Sequence, residues 1–273
     1  MQSIPNFVLN KSSKIYKIEK HSMNSFKIKY TFLSLLIFVA LLVSSCQKAN
    51  RLDCIKRTGS ITTENRVLGS FSIIEVYDNV QVFLIQDTSN FILIKAGENL
   101  LSNIATSIEG QTLVIKNKNK CNFTRSYKYQ IEIYIHFKKL DELIYRGTGP
   151  ITSLNTLVND TFTFNSWDGT DSVKLNLEVP LVKANIHTGV ADLFVKGFAH
   201  QLYAYARNSG SFRMQEFICE NVYTNNQSSS DSYFNVKNQL EALVQYVGNT
   251  YYIGNPNQII KKESNKGKLV KLQ

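Results

Sequence analysis

The sequence predicts an all-β fold, a solenoid of stacked turns with about twenty residues each, and three observations predict it. Gly149, Gly169, Gly189 and Gly210 are spaced 20, 20 and 21 residues apart, Ser230 stands where a fifth glycine is due, and Gly248 follows 18 residues later. Each beat is followed by a short apolar burst: Ile151 and Leu154, Val173 and Leu175, Leu193 to Val195, Phe212 and Met214, Tyr233 to Val236, then Tyr251 to Ile253. A fixed period carrying one short strand signal per beat is the sequence signature of a coil whose turns bury their apolar face only against their neighbours. Asparagine recurs at the turns, where its short amide tolerates left-handed backbone, and only four prolines interrupt the supply of ladder donors. Six such turns, stacked at the strand spacing, span about 25 to 30 Å.

From the N-terminus, residues 1–22 read as an upstream extension or a long basic leader, because Met23 opens a complete signal peptide by itself. Residues 23–45 are that signal: Lys27 and Lys29 precede an apolar run from Thr31 to Val43, too short for a membrane-spanning helix. Val43, Ser44, Ser45 and Cys46 resemble a bacterial lipobox, which implies cleavage before Cys46 and a diacylglycerol anchor on that cysteine. Residues 46–68 form a polar lead-in to the fold. The expected location is therefore the cell envelope, as an outer-membrane lipoprotein. Gln47, Lys48, Ala49, Asn50 and Arg51 lack the acidic run that resembles a surface-export signal, so the periplasmic face is expected over the cell surface.

The formal charge of +10 does not indicate a nucleic-acid partner. Six of the basic residues fall before residue 46, and residues 46–273 carry only +5. Lys261, Lys262, Lys266, Lys268 and Lys271 make residues 256–273 a basic tail or cap, as suits a solvated end that resists aggregation.

Strand signals continue upstream of the glycine beats, over Phe71 to Tyr77, Val80 to Ile85, Phe91 to Lys95, Thr112 to Lys116 and Tyr129 to His136. Glu98 to Ile108 suits either a strand or a helical turn. The section before residue 146 is expected to be irregular and to cap one end of the coil. With Cys46 acylated, three cysteines allow one disulfide. Cys54 and Cys121 lie in polar stretches and are expected to pair, whereas Cys219, inside an apolar run, is expected to be a buried free thiol. No metal-binding or cofactor motif occurs.

Gly69-Ser70-Phe71 leading into Ile73 to Tyr77, the segment Ala96-Gly97-Glu98-Asn99-Leu100-Leu101 with Ile104 and Thr106, and the beats closing in Tyr251-Tyr252-Ile253-Gly254-Asn255-Pro256 resemble the head GIN domain family. This adhesin-like autotransporter domain is common in envelope lipoproteins of some Gram-negative bacteria. The resemblance covers residues 69–255 and implies a right-handed parallel β-helix with no catalytic residues to carry over. Cys54 and the set Cys121-Asn122-Phe123 resemble a subgroup with a cysteine pair, which supports the same disulfide.

His136, His187 and His200 fall at unrelated phases of the repeat, with no nucleophile motif beside them. Asp171, Asp192 and Asp231 follow their beats by two, three and one residues. If they converged on a cation, with Lys174, Arg207 or Arg213 as a base, the coil would suit a polysaccharide lyase or hydrolase acting on envelope or extracellular glycans. The competing reading is that each aspartate caps its own turn. Tyr203 and Tyr205 alternate with Ala204 and Ala206, so inward alanines would expose both rings, and with Tyr223 they are candidates for a platform that binds a glycan or an envelope protein. The function expected is a noncatalytic, binding or structural module displayed from its anchor.

Overall fold

The computed structural model describes residues 58–120 and 131–273, all within one compact unit, Cys54–Gln273. Cys46, Cys54 and Cys121, and with them the expected signal, anchor and disulfide, lie outside the described residues. The early elements are β1 (Ile61–Val67), β2 (Ile73–Asp78), β3 (Gln81–Gln86), β4 (Phe91–Gly97), the helical turn α1 (Glu98–Leu101), β5 (Ile104–Glu109), β6 (Thr112–Asn117) and β7 (Glu132–Phe137). After them come β8 (Glu142–Gly147), β9 (Ile151–Ser153), β10 (Leu157–Val158), β11 (Thr161–Ser166), β12 (Ser172–Glu178) and β13 (Leu181–Ile186). The chain closes with β14 (Asp192–Asn208), β15 (Ser211–Ser228), β16 (Ser232–Val244), β17 (Thr250–Ile253), β18 (Gln258–Glu263) and β19 (Leu269–Lys271).

These strands build a β-solenoid of about six turns, roughly 20 residues per turn. Each turn lays one strand on each of two parallel stacks. The first stack runs β6, β2, β8, β11, β13, then the second halves of β14, β15 and β16, then β18. The second runs β7, β3, β9, β12, then the first halves of β14, β15 and β16, then β17 and β19. In β14 and β15 the chain passes from one stack to the other as a single bent strand, with register shifts between Phe194 and Gly197, between Met214 and Ile218, and between Cys219 and Asn221. Alternate residues point inward, so Val182, Ala184 and Ile186 of one turn stack on Leu202, Ala204 and Ala206 of the next in one continuous core. The periodicity in the sequence is this superposition: every turn must bury the same face at the same place.

The glycine beats lie at the corner leading from the first stack to the second. Gly189 needs its missing side chain twice over: its φ is +91°, and a Cβ would sit 2.4 Å from the carbonyl oxygen of Gly169 in the turn before. At Gly248 only the close approach matters, with a Cβ placed 2.2 Å from the Ser230 carbonyl oxygen. Ser230 fits as the fifth beat because its hydroxyl donates to the Ser209 carbonyl (2.9 Å) and its N–H to Ser228 Oγ (3.0 Å). Left-handed backbone also falls on Asp78, Asp168 and Asn208, the residue types that tolerate it.

Three features depart from the expectation. The section before residue 146 is regular: β2 and β3 already belong to the parallel stacks, and antiparallel strands close them, β1 on β4, β4 on β7, and β5 on β6. Arg66 ties these end strands together, donating to the Ile104 and Leu101 carbonyls (2.7 and 3.2 Å) while its ion pair with Glu64 (2.9 Å) holds that carboxyl below its usual range. The ambiguous stretch Glu98 to Ile108 is both things at once, the helical turn α1 followed by β5. At the other end, residues 258–271 are a further piece of coil, with β18 on β16, β19 on β17, and the Gly267 N–H donating to the Tyr246 carbonyl (2.9 Å). Lys261 and Glu263 continue the inward rows of Ala242 and Val244, so charged residues end the core there.

Candidate functional site

The outward residues of the first stack form a grid. Along β14 they are Tyr203, Tyr205 and Arg207; beside them on β15 stand Tyr223, Asn225 and Gln227, and on β16 Glu241, Leu243 and, just past its end, Gln245. Ala204 is 4% exposed and Tyr203 42%, so the alanines point inward and the tyrosines outward. The Tyr203 and Tyr223 rings stack at 4.9 Å and 13°, the distance that separates neighbouring strands. At that distance and angle two rings overlap face to face. They stand on edge and form a ridge whose outer rim carries ring edges and hydroxyls, rather than lying flat as a platform.

All three candidate tyrosines line one depression of about 240 Å³, together with Asn185, Asn225, Glu241 and Leu243. The Asn225 amide oxygen is buried there without a hydrogen-bond partner. An orphaned buried acceptor is costly to the fold, which marks this wall of the depression as a place where polar pairing is incomplete. Sequence reasoning missed Asn225 and Leu243, although the cadence places Asn225 20 residues after Tyr205.

Beside this grid runs an outer row of cations and rings: Lys116, Tyr77, Arg146, Trp167, His187 and Arg207. Lys116 lies over the Tyr77 ring at 4.5 Å, and Arg146 lies 5.8 Å from both Tyr77 and Trp167. Arg146 pairs with Glu75 (2.7 Å), which also accepts from the Tyr77 hydroxyl (2.8 Å); burial and that hydrogen bond raise the Tyr77 pKa. Trp167, 38% exposed, stacks on His187 at 3.9 Å and 11°. Partial burial lowers the His187 pKa and favours the neutral ring, whose Nε2 contacts Asn165 Oδ1 (3.1 Å). The spacing of 20 between Trp167 and His187 was the available signal for this pair.

The other candidates disperse. Asp171 Oδ1 accepts from the Ser172 N–H (2.6 Å) and so caps its own corner, whereas Asp192 Oδ1 accepts from the Ser211 hydroxyl and Asp231 Oδ1 from the Asn249 N–H (2.7 Å), each tying its corner to the next turn. Ser172 is the register partner of Asp192, which leaves Asp171 one residue out of that column. Among the described residues no three His, Cys, Asp or Glu side chains group so as to hold a metal ion. Lys174 lies over Phe194 (5.9 Å) and Arg213 over Tyr233 (4.8 Å) on the second stack. His136 contacts Asp87 (3.0 Å) and His200 contacts Glu220 (3.0 Å), both near the corner that leads from the second stack back to the first, opposite that of His187. The Thr88 N–H, then His136, lowers the Asp87 pKa. Cys219 is a buried free thiol, its pKa raised by burial.

The family described as "putative auto-transporter adhesin, head GIN domain" matches residues 70–256. Among solved structures, a putative adhesin from Bacteroides fragilis superimposes with a TM-score of 0.72 at 18% identity, over 78% of this chain and 97% of that one. A putative adhesin from Parabacteroides merdae gives 0.59 at 17%, over 80% and 98%. A protein described as a putative lipid binding protein, from Parabacteroides distasonis, gives 0.58 at 18%, over 79% and 98%. Identities this low carry the fold alone. No curated protein matches the chain.

Proposed function

The chain belongs to the head GIN domain family of putative auto-transporter adhesins, and from that premise we propose that it is a noncatalytic, glycan-binding module of the bacterial cell envelope. The observation that carries the reading is the depression between Tyr203, Tyr205 and Tyr223, with the unpartnered Asn225 amide oxygen buried in its wall. Sugar hydroxyls suit the polar lining supplied by Asn185, Asn225 and Glu241, and aromatic edges and Leu243 supply apolar contact for the ring faces. The names of the family and of its structural relatives, adhesins and binding proteins, agree with a role without catalysis.

The mechanism is display. Cys46 carries the lipid, a Cys54–Cys121 disulfide fastens the start of the coil, and the solenoid presents its outer face on the periplasmic side of the outer membrane. A glycan array probed with the lipid-free exported chain tests the binding claim: Tyr205→Ala with Tyr223→Ala is expected to weaken the bound glycans at least tenfold at unchanged thermal stability. Equal binding by the double variant would remove the depression from the proposal. Protease treatment of intact cells tests the placement, since loss of the protein without lysis would put it on the cell surface.

A further inference from the structure

A second depression, of about 660 Å³, adjoins the first along the same strands and is lined by Arg207, Asn208, Ser209, Gln227, Ser229, Gln245 and Tyr246. Its near edge is one pleat further on: Tyr205 and Arg207 share an outward face of β14, Asn225 and Gln227 of β15, so the facing edges of the two lie about 7 Å apart. No carboxylate lines this second depression. The contrast within one outer row is sharp. Arg146 is neutralised by Glu75, whereas Arg207 enters none of the ion pairs among the described residues. Around it stand neutral groups already joined in pairs, Ser209 Oγ with Ser229 Oγ (2.9 Å) and Gln227 Nε2 with Gln245 Oε1 (2.9 Å), which fix its surroundings without cancelling its charge.

Resting on the glycan reading, we propose that the ligand is an acidic oligosaccharide: one sugar lies in the tyrosine depression, and the carboxylate of the adjoining sugar pairs with Arg207. A planar guanidinium matches a carboxylate through two parallel hydrogen bonds, and the glutamine amides, which use one N–H between them in their mutual bond, supply further donors to its oxygens. A lysine there would keep the charge and lose the fork.

Trigalacturonate and its methyl ester are the probes, and the chain's one tryptophan, Trp167, in the row of Arg207, is the fluorescent reporter, with calorimetry beside it. The acid is expected to bind at least tenfold more tightly than the ester, with an affinity that falls as salt rises. Arg207→Gln is expected to abolish that preference while leaving the ester's affinity unchanged, and Arg207→Lys to restore part of it. Equal affinity for acid and ester, or an Arg207→Gln variant that still prefers the acid, would overturn the carboxylate assignment and leave the glycan reading standing. Failure of every glycan on the array, neutral or acidic, to bind the unaltered chain would overturn both.

Discussion

Tyr145 and Asn226 occupy the same interior row of the coil, which runs Val76, Tyr145, Ser166, Ile186, Ala206, Asn226 and Val244, yet they meet the same demand with opposite chemistry. Each corner of a solenoid turns backbone carbonyls and amides inward, where water does not reach them. Tyr145 answers with one large side chain: its hydroxyl donates to the Gly149 carbonyl (3.0 Å) and accepts from the Asp171 N–H (3.1 Å), while the buried ring fills the space between. Asn226 fills little space and answers with bonds. Its Nδ2 donates to the Gly248 and Asn249 carbonyls (3.3 and 3.2 Å), its Oδ1 accepts from the Ser228 N–H (2.9 Å), and Ser228 Oγ donates in turn to the Gly210 carbonyl (2.8 Å). The difference teaches that where a corner needs a polar tip the row can supply it from a large or a small side chain, with volume made up by neighbours, while Val76, Ile186, Ala206 and Val244 keep the rest of the row apolar.

The largest expected effect is at the asparagine. Asn226→Leu is nearly isosteric but strands two carbonyls and one amide, and is expected to destabilise the fold by about 3 to 5 kcal/mol in urea unfolding. A loss under about 1 kcal/mol would mean that the corner is hydrated and the comparison is wrong. Tyr145→Phe keeps the ring and strands one carbonyl and one amide, for an expected loss of about 1 to 2 kcal/mol.

The same pair separates in alkali. Burial pushes the Tyr145 pKa up to about 12 from an ordinary 10, so between those values the unfolded chain has lost a proton that the folded chain keeps. Stability supplied by Tyr145 is therefore complete below pH 10 and falls as pH rises towards 12. Tyr145→Phe is expected to flatten the alkaline decline measured by thermal unfolding, whereas Asn226→Leu leaves its slope unchanged. The smallest effect is at Ser166, between Tyr145 and Ile186 in the row, whose buried hydroxyl has no partner. Ser166→Ala is expected to stabilise the protein by up to about 1 kcal/mol, and a marked destabilisation would show that the row demands a polar tip there as well.

Much of the architecture was legible in the residues. The twenty-residue beat set the turn length, and the alternation in Ile131, Ile133 and Ile135 marked inward positions that are buried. Ala204 and Ala206 between two tyrosines marked an outward face. What escaped notice was either non-periodic or polar. β1 carries few apolar residues, and its Ile61 and Val67 are exposed, because it closes an end instead of filling it, so hydrophobic patterning has little to report there. The final beat at Gly267 hid among lysines for the same reason: the last turn has no neighbour to bury its face. In the candidate site, the three tyrosines stood out by composition and Arg207 only as a possible base for the aspartates, whereas Asn225 and Leu243 are ordinary surface residues until register sets them around the depression.

By itself the sequence determined the period, the strands and which side of each strand faces inward, because a repeated coil imposes the same burial on every turn. Only the tertiary structure decided the rest. Strand register brought residues 20 apart into contact, ring stacking turned a presumed platform into an upright ridge, and local pairing left Arg207 without a carboxylate and the Asn225 amide oxygen without a partner. Those properties depend on distances of a few ångströms between chain segments far apart in sequence, which no local pattern records.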